Sequence, residues 1–170
     1  MTTIRAPRTD ELELLRAIEV AAGALFVEVG LADVAAHDPV SVGELAGYVA
    51  NQRAWVVCDG DDDVPVGYAV VDILDGLAHL EQLSVHPHHG RKGLGAALLA
   101  HVCAWAAQHR YGAVTLTTFT DVAWNAPFYA KHGFRVMNET DLGPELHALR
   151  TLEAEHGLDP AARVCMRRNV

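Results

Sequence analysis

The residues best suited to chemistry lie between His79 and Leu99, HLEQLSVHPHHGRKGLGAALL, where glycines at 90, 93 and 95 frame two cations, Arg91 and Lys92. Leu80, Leu83 and Val85 form an apolar strand-like run that Pro87 ends, and an apolar helix opens after the glycines. The first N–H groups of a helix have no intrahelical acceptor, and the helix dipole adds partial positive charge there. Glycine lets a ligand approach that backbone closely, so a phosphate or pyrophosphate suits the turn. Two phosphate motifs are excluded by spacing. There is no GxxxxGK(S/T), and the glycines run as GxxGxG, the reverse of the dinucleotide fingerprint GxGxxG.

A second segment, Trp124-Asn125-Ala126-Pro127-Phe128-Tyr129-Ala130-Lys131-His132-Gly133-Phe134, follows further along. Asn125 is placed to cap a short helix, Pro127 is tolerated in its first turn, and Gly133 supplies the stop before a strand starting at Phe134. In this order the two segments resemble those of the GCN5-related N-acetyltransferases (GNAT). The turn is similar to that family's acetyl-CoA motif, Gln/Arg-x-x-Gly-x-Gly/Ala, and Asn125, Tyr129, Gly133 and Phe134 match its Asn, Tyr and Gly-Phe positions. Gly90 stands where the family has Gln or Arg, which keeps a backbone cradle and removes a side-chain contact. The resemblance covers residues 64 to 138.

The resemblance implies an α/β (α+β) GNAT fold: a mixed central sheet of about seven strands, with strands 1–4 antiparallel, a splayed parallel pair at strands 4 and 5, and helices on both faces. It implies acetyl-CoA as cosubstrate and no metal. Main-chain groups of Leu83, Ser84 and Val85 would pair with the pantetheine arm as an added strand does. Gly90, Arg91, Lys92, Gly93, Leu94, Gly95 and Ala96 would hold the pyrophosphate, and Asn125 and Tyr129 complete the cofactor set. Transfer of acetyl from a thioester to an amine needs a neutral amine, a polarised carbonyl and a proton for the thiolate. Tyr129 matches the family's general acid. Glu81 matches a position for the base, with His79 the backup on the same strand face. Glu28 and Asp33, in the segment that covers the acceptor in the family, join His79, Phe119, Asp121 and Trp124 as substrate-binding residues. Ser84 and Cys103 lie in no nucleophile motif, so direct transfer is expected.

Lys plus Arg number 13 against 22 Asp plus Glu, a formal net charge of −9. That balance disfavours nucleic acid and anionic membranes and favours a cationic substrate. The expected reaction is therefore acetylation of a primary amine on a small cationic molecule, an aminoglycoside-like antibiotic or a polyamine, with antibiotic resistance as the corresponding role. Acetylation of protein lysines or N-termini is the alternative. A non-catalytic acetyl-CoA sensor is the reading from another class, and retention of Tyr129 and Glu81 argues against it.

The elements that must position these residues read in chain order. Ile4 to Pro7 is a short first strand, Thr9-Asp10-Glu11 a cap and acidic first turn for a helix through Ala22, and Ser41 with Glu44 a capping box for a second helix through Ala50. Gly23 to Pro39 has no clear pattern. Ala54–Cys58 and Val66–Ile73 read as strands around a solvated acidic run, Asp59 to Asp63, and Asp75-Gly76 as a hairpin turn into a strand Leu77–Val85. A helix from Gly93 to Gln108, a strand Ala113–Phe119, a helix Trp124–His132 and a strand Phe134–Met137 follow. Gly143–His156 reads as a helix that walls the substrate pocket or makes a homodimer contact, and Arg163–Arg167 as the last strand.

At 170 residues and 51% apolar composition, one domain spanning 1–170 is expected. Three cysteines with no CxxC predict buried thiols, and ten scattered histidines show no HExxH spacing. No apolar run reaches the ~18 residues of a membrane span. The acidic start, MTTIRAPRTDELELL, lacks a signal-peptide core, so a cytoplasmic protein is expected.

Overall fold

The computed structural model describes residues 1–170, which divide into two compact units. The first comprises Met1–Val71 and Gln82–Val102. Strands β1 (Thr2–Arg5), β2 (Ala54–Asp59) and β3 (Pro65–Leu74) pair antiparallel, with Ile4 opposite Val57 and Ala54 opposite Val70. The continuous apolar run of β2 follows from burial on both faces. Ala54, Val56 and Cys58 join Tyr68 and Val70 in a core under helices α1 (Leu12–Gly23) and α3 (Val42–Ala50), while the alternate residues Trp55 and Val57 are also buried. Leu12, Leu15 and Ile18, at helical spacing, are the α1 contribution to that core.

The Ser41 capping box forms as the sequence predicts, with Glu44 N donating to Ser41 Oγ at 3.1 Å and Ser41 N to Glu44 at 3.0 Å. The first helix starts differently. Arg8, not Thr9, holds the cap position of a 3-10 turn at Thr9–Glu11, because Glu11 accepts from Arg8 N at 2.7 Å and is held from the other side by both terminal nitrogens of Arg5. β1 ends before Pro7, which has no N–H to give to a ladder. The segment without clear pattern becomes a 3-10 stretch, Ala24–Val29, and a one-turn helix α2 (Ala32–Ala35), separated by Gly30 at φ +78°. Arg16 and Glu19 fasten its far end by gripping the C=O and N–H of Val40 at 3.2 and 3.0 Å, and Glu19 also accepts from the buried Tyr68 hydroxyl at 2.7 Å.

Strand β4 (Leu77–Val85) is common to both units. Its second half belongs to the first unit, where a Cβ at Gly67 would lie 2.8 Å from Ser84 O and 3.0 Å from Val85 Cγ2. Only glycine lets β3 and that half of β4 come so close.

The second unit comprises Asp72–Glu81 and Cys103–Val170. Here β4 pairs parallel with β5 (Ala113–Phe119) through Ala78–Val114 and His79–Thr115 alone, although both strands continue further. β5 pairs antiparallel with β7 (Arg163–Asn169) along its whole length, and β7 with the two-residue β6 (Arg135–Val136). The sheet order is β1-β2-β3-β4-β5-β7-β6, a seven-stranded mixed sheet with antiparallel early strands and a parallel β4–β5 pair, as expected. Helix α4 (Leu94–Gln108) leads into β5, α5 (Ala126–Lys131) ends at Gly133 with φ +87°, and α6 (Pro144–Glu155) precedes β7. Asp75 and Gly76 both take positive φ, as a two-residue hairpin turn requires. The Asp75 carboxylate also receives Glu145 N and Leu146 N, each at 2.9 Å, while Asp75 N donates to Glu145. The hairpin thus caps α6, whose own N-cap, Gly143, supplies no side chain.

Candidate active site

In the first unit, β4 ends at Val85 and His86 begins a 3-10 turn, Pro87–His89, where His88 N donates to His86 Nδ1 at 3.2 Å. Gly90 N closes the turn onto Pro87 O at 3.0 Å, and a Cβ at Gly90 would stand 3.1 Å from that same oxygen. A side chain at this position would therefore be tight against the turn. Arg91 and Gly93 take left-handed φ values of +61° and +78°. Ala97 N donates to Gly93 O at 3.0 Å, and the Leu94, Gly95 and Ala96 N–H groups that precede it stand at the helix start, where no intrahelical acceptor exists. Beyond its chain neighbours, nothing lies within 4 Å of the place a Cβ at Gly93 would take. Helix-start donors with adjacent exposed cations are the chemistry that the phosphates of CoA require.

The two cations differ. Arg91 is exposed, whereas Lys92 Nζ is 2.7 Å from the Asp59 carboxylate, which also lies 3.2 Å from His89 Nδ1. Asp63 binds Arg5 and Arg8. The acidic run read as a solvated tip is so only at Asp61 and Asp62. Just before the turn, Ser84 is buried and accepts from Gln82 Nε2 at 2.7 Å, with Leu83 and Val85 half-buried beside it. Glu28 and Asp33 are exposed, in the 3-10 stretch and in α2.

In the second unit, His79 is 1% exposed, with Nδ1 2.9 Å from Thr115 Oγ1 and Nε2 3.7 Å from Glu81. Burial lowers the imidazole pKa to about 4, so His79 is neutral at physiological pH and a weak base. Its approach to Glu81 is then no ion pair. The Glu81 side chain is 37% exposed and able to meet a solute. Tyr129 is half-buried between the Phe128 and Phe134 rings, at 5.2 and 5.8 Å, and burial pushes its hydroxyl far above the ordinary value of 10.

Asn125 is at the α5 N-cap but makes no side-chain cap bond. Its Oδ1 instead accepts from Thr118 Oγ1 at 2.7 Å and Phe119 N at 3.3 Å, fastening the end of β5 to the start of α5. Asn125 thus holds the cap position that the sequence predicts, but its side-chain oxygen takes its donors from the end of β5 and not from its own helix. Phe119 is buried with the Arg163 guanidinium 4.5 Å above its ring, and Arg163 in turn binds Glu153 and Thr117, both at 3.0 Å. Asp121 is exposed and Trp124 37% so. Asp59, Asp75 and Arg163 were invisible to spacing arguments, since their partners are remote in sequence.

The family model described as acetyltransferase (GNAT) family matches residues 34–134, more than half of the chain. The chain belongs to the GNAT acetyltransferases. A GNAT structure from Staphylococcus aureus Mu50 is similar to it over 99% of both chains, with TM-score 0.73 and 17% identity. N-acetylglutamate synthase from Neisseria gonorrhoeae, in complex with coenzyme A and N-acetyl-glutamate, gives 0.72 and 17% over 99% of this chain. This chain spans only 35% of that enzyme. Ribosomal-protein-S18-alanine N-acetyltransferase from Escherichia coli gives 0.68 and 17%, over 100% of this GNAT chain and 94% of the other. These likenesses are of fold. Family membership makes the chain an acetyl-CoA-dependent N-acetyltransferase. No group of three or more His, Cys, Asp or Glu could hold a metal ion, the three cysteines are free and buried, and no helix is long and apolar enough to cross a membrane.

Proposed function

We propose that the 170 residues act as one catalytic domain that moves an acetyl group from acetyl-CoA directly to a primary amine of a small cationic molecule, an aminoglycoside-like or polyamine acceptor. Acetyl-CoA supplies a thioester carbonyl. The N–H groups at the start of α4 and Arg91 hold its phosphates, and main-chain groups of Leu83 and Val85 orient the arm that carries the thioester. Glu81 takes the proton that the attacking amine loses as the C–N bond forms, directly or through water. Tyr129 donates to the sulfur as the C–S bond breaks. His79 is 1% exposed and turned to Thr115, whereas the Glu81 side chain is 37% exposed, and this difference in access favours Glu81 as the base.

The observation that carries the acceptor class is the exposure of Glu28 and Asp33 on a chain with formal net charge −9. A polycation gains from such a surface, and a neutral or acidic amine does not. Glu28→Gln and Asp33→Asn should raise KM for the amine more than they lower kcat, because they remove binding rather than chemistry. With a Debye length of ~8 Å at physiological ionic strength, added salt should lower kcat/KM in the parent and less so in the variants. Unchanged KM and a flat salt profile would remove these carboxylates from acceptor recognition.

A further inference from the structure

The phosphate turn carries a carboxylate of its own. Asp59 ends β2, and its Oδ2 accepts from Lys92 Nζ at 2.7 Å and lies 3.2 Å from His89 Nδ1. Those donors, Lys92 foremost, hold the Asp59 carboxyl below the usual carboxylate range. Its main chain is fixed by pairing with Thr2, and the next residue, Gly60, donates to Met1 O at 3.1 Å. The carboxylate is therefore tethered beside the turn when an anion arrives. Lys92 is 52% exposed on a flexible stem and can turn away.

We propose that Asp59 is the internal counter-ion of the phosphate turn: it holds Lys92 in the free protein, competes with the phosphates of CoA for that ammonium, and so sets how tightly CoA is kept. The inference rests on the reading that the turn takes those phosphates. An incoming polyanion must draw Lys92 off Asp59 while meeting repulsion from a fixed negative charge within one Debye length. Arg91 is outside this pair and keeps its charge for the ligand at every stage. The counter-ion moderates affinity, which favours release of CoA after transfer, a step that limits turnover in many enzymes.

Isothermal titration of CoA into the parent, D59N, K92M and the double variant at low salt tests this. D59N should bind CoA roughly threefold to fivefold more tightly than the parent, the range expected for an exposed ion pair. That gain should be smaller when K92M is also present, since only the repulsion by Asp59 is then left to relieve. K92M alone should weaken CoA by a similar factor, which gives a reading even if D59N folds poorly. Weaker binding by D59N, an equal gain with and without K92M, or unchanged affinity in K92M overturns the inference while leaving the turn as the CoA site. Absence of CoA binding by the parent overturns both.

Discussion

Tyr129 and His79 carry opposite lessons about burial. Burial raises the tyrosine and keeps its hydroxyl protonated, as a donor must be, while it lowers the histidine to about 4 and keeps it neutral at physiological pH. A free thiol titrates near ~8.5, so the Tyr129 proton is not surrendered to a relaxed thiolate. In the proposed reaction it acts where charge develops on sulfur in the transition state. Tyr129→Phe should lower kcat by roughly 10²-fold or more with little change in CoA affinity, read by steady-state kinetics beside titration calorimetry. Parent-like rates would reduce Tyr129 to packing between its two phenylalanines. For His79 the sign follows from the depressed folded pKa. Its stabilising contribution is complete above the unfolded value of 6.5 and is lost as pH falls toward 4, amounting to about 3 kcal/mol. Denaturant titrations across that window should show stability falling with acid, and His79→Gln should flatten the fall. An equal slope in both would place the acid sensitivity elsewhere.

Elements were legible where local pattern decides them. The hairpin Asp75-Gly76, the strand Leu77–Val85, the strand Ala113–Phe119 and the Ser41 capping box lie where alternation, turn chemistry and the S-x-x-E spacing put them. Element ends were less legible, because distant partners decide them. Thr9 lost its place to Arg8 through Arg5 and Glu11, Asn125 bonds β5 in preference to its own helix, and α6 is capped by a residue from the β3–β4 turn. A Cβ at Gly143 would collide with that Asp75 carboxylate, which explains why the helix has a bare N-cap. Asp75→Ala should cost ~1 kcal/mol, the usual loss for a cap, and lower Tm by ~2–4 °C. Thermal unfolding of Asp75→Ala beside Asp75→Asn measures this, and an unchanged midpoint in both would mean α6 needs no cap from the hairpin.

At the scale of the molecule, two short motifs in the right order pointed to the GNAT family, and the mixed seven-stranded sheet with its parallel β4–β5 pair agrees. Those motifs were readable because phosphate binding and helix punctuation each demand glycine at fixed offsets. Charge placement was not readable. The run Asp59 to Asp63 looks uniform in sequence, yet its first and last residues tie down Lys92, His89, Arg5 and Arg8 through pairings that only the fold creates. The acceptor is likewise a property of the folded surface, and net charge with exposed Glu28 and Asp33 is what supports a cation. The most direct test is a panel of amines, spanning aminoglycosides, polyamines, neutral and acidic amino compounds, and peptides with free N-termini or lysines, scored by thiol release from acetyl-CoA. Turnover led by the polycationic small molecules is the predicted result. Turnover confined to peptides, or to neutral or acidic amines, would contradict it.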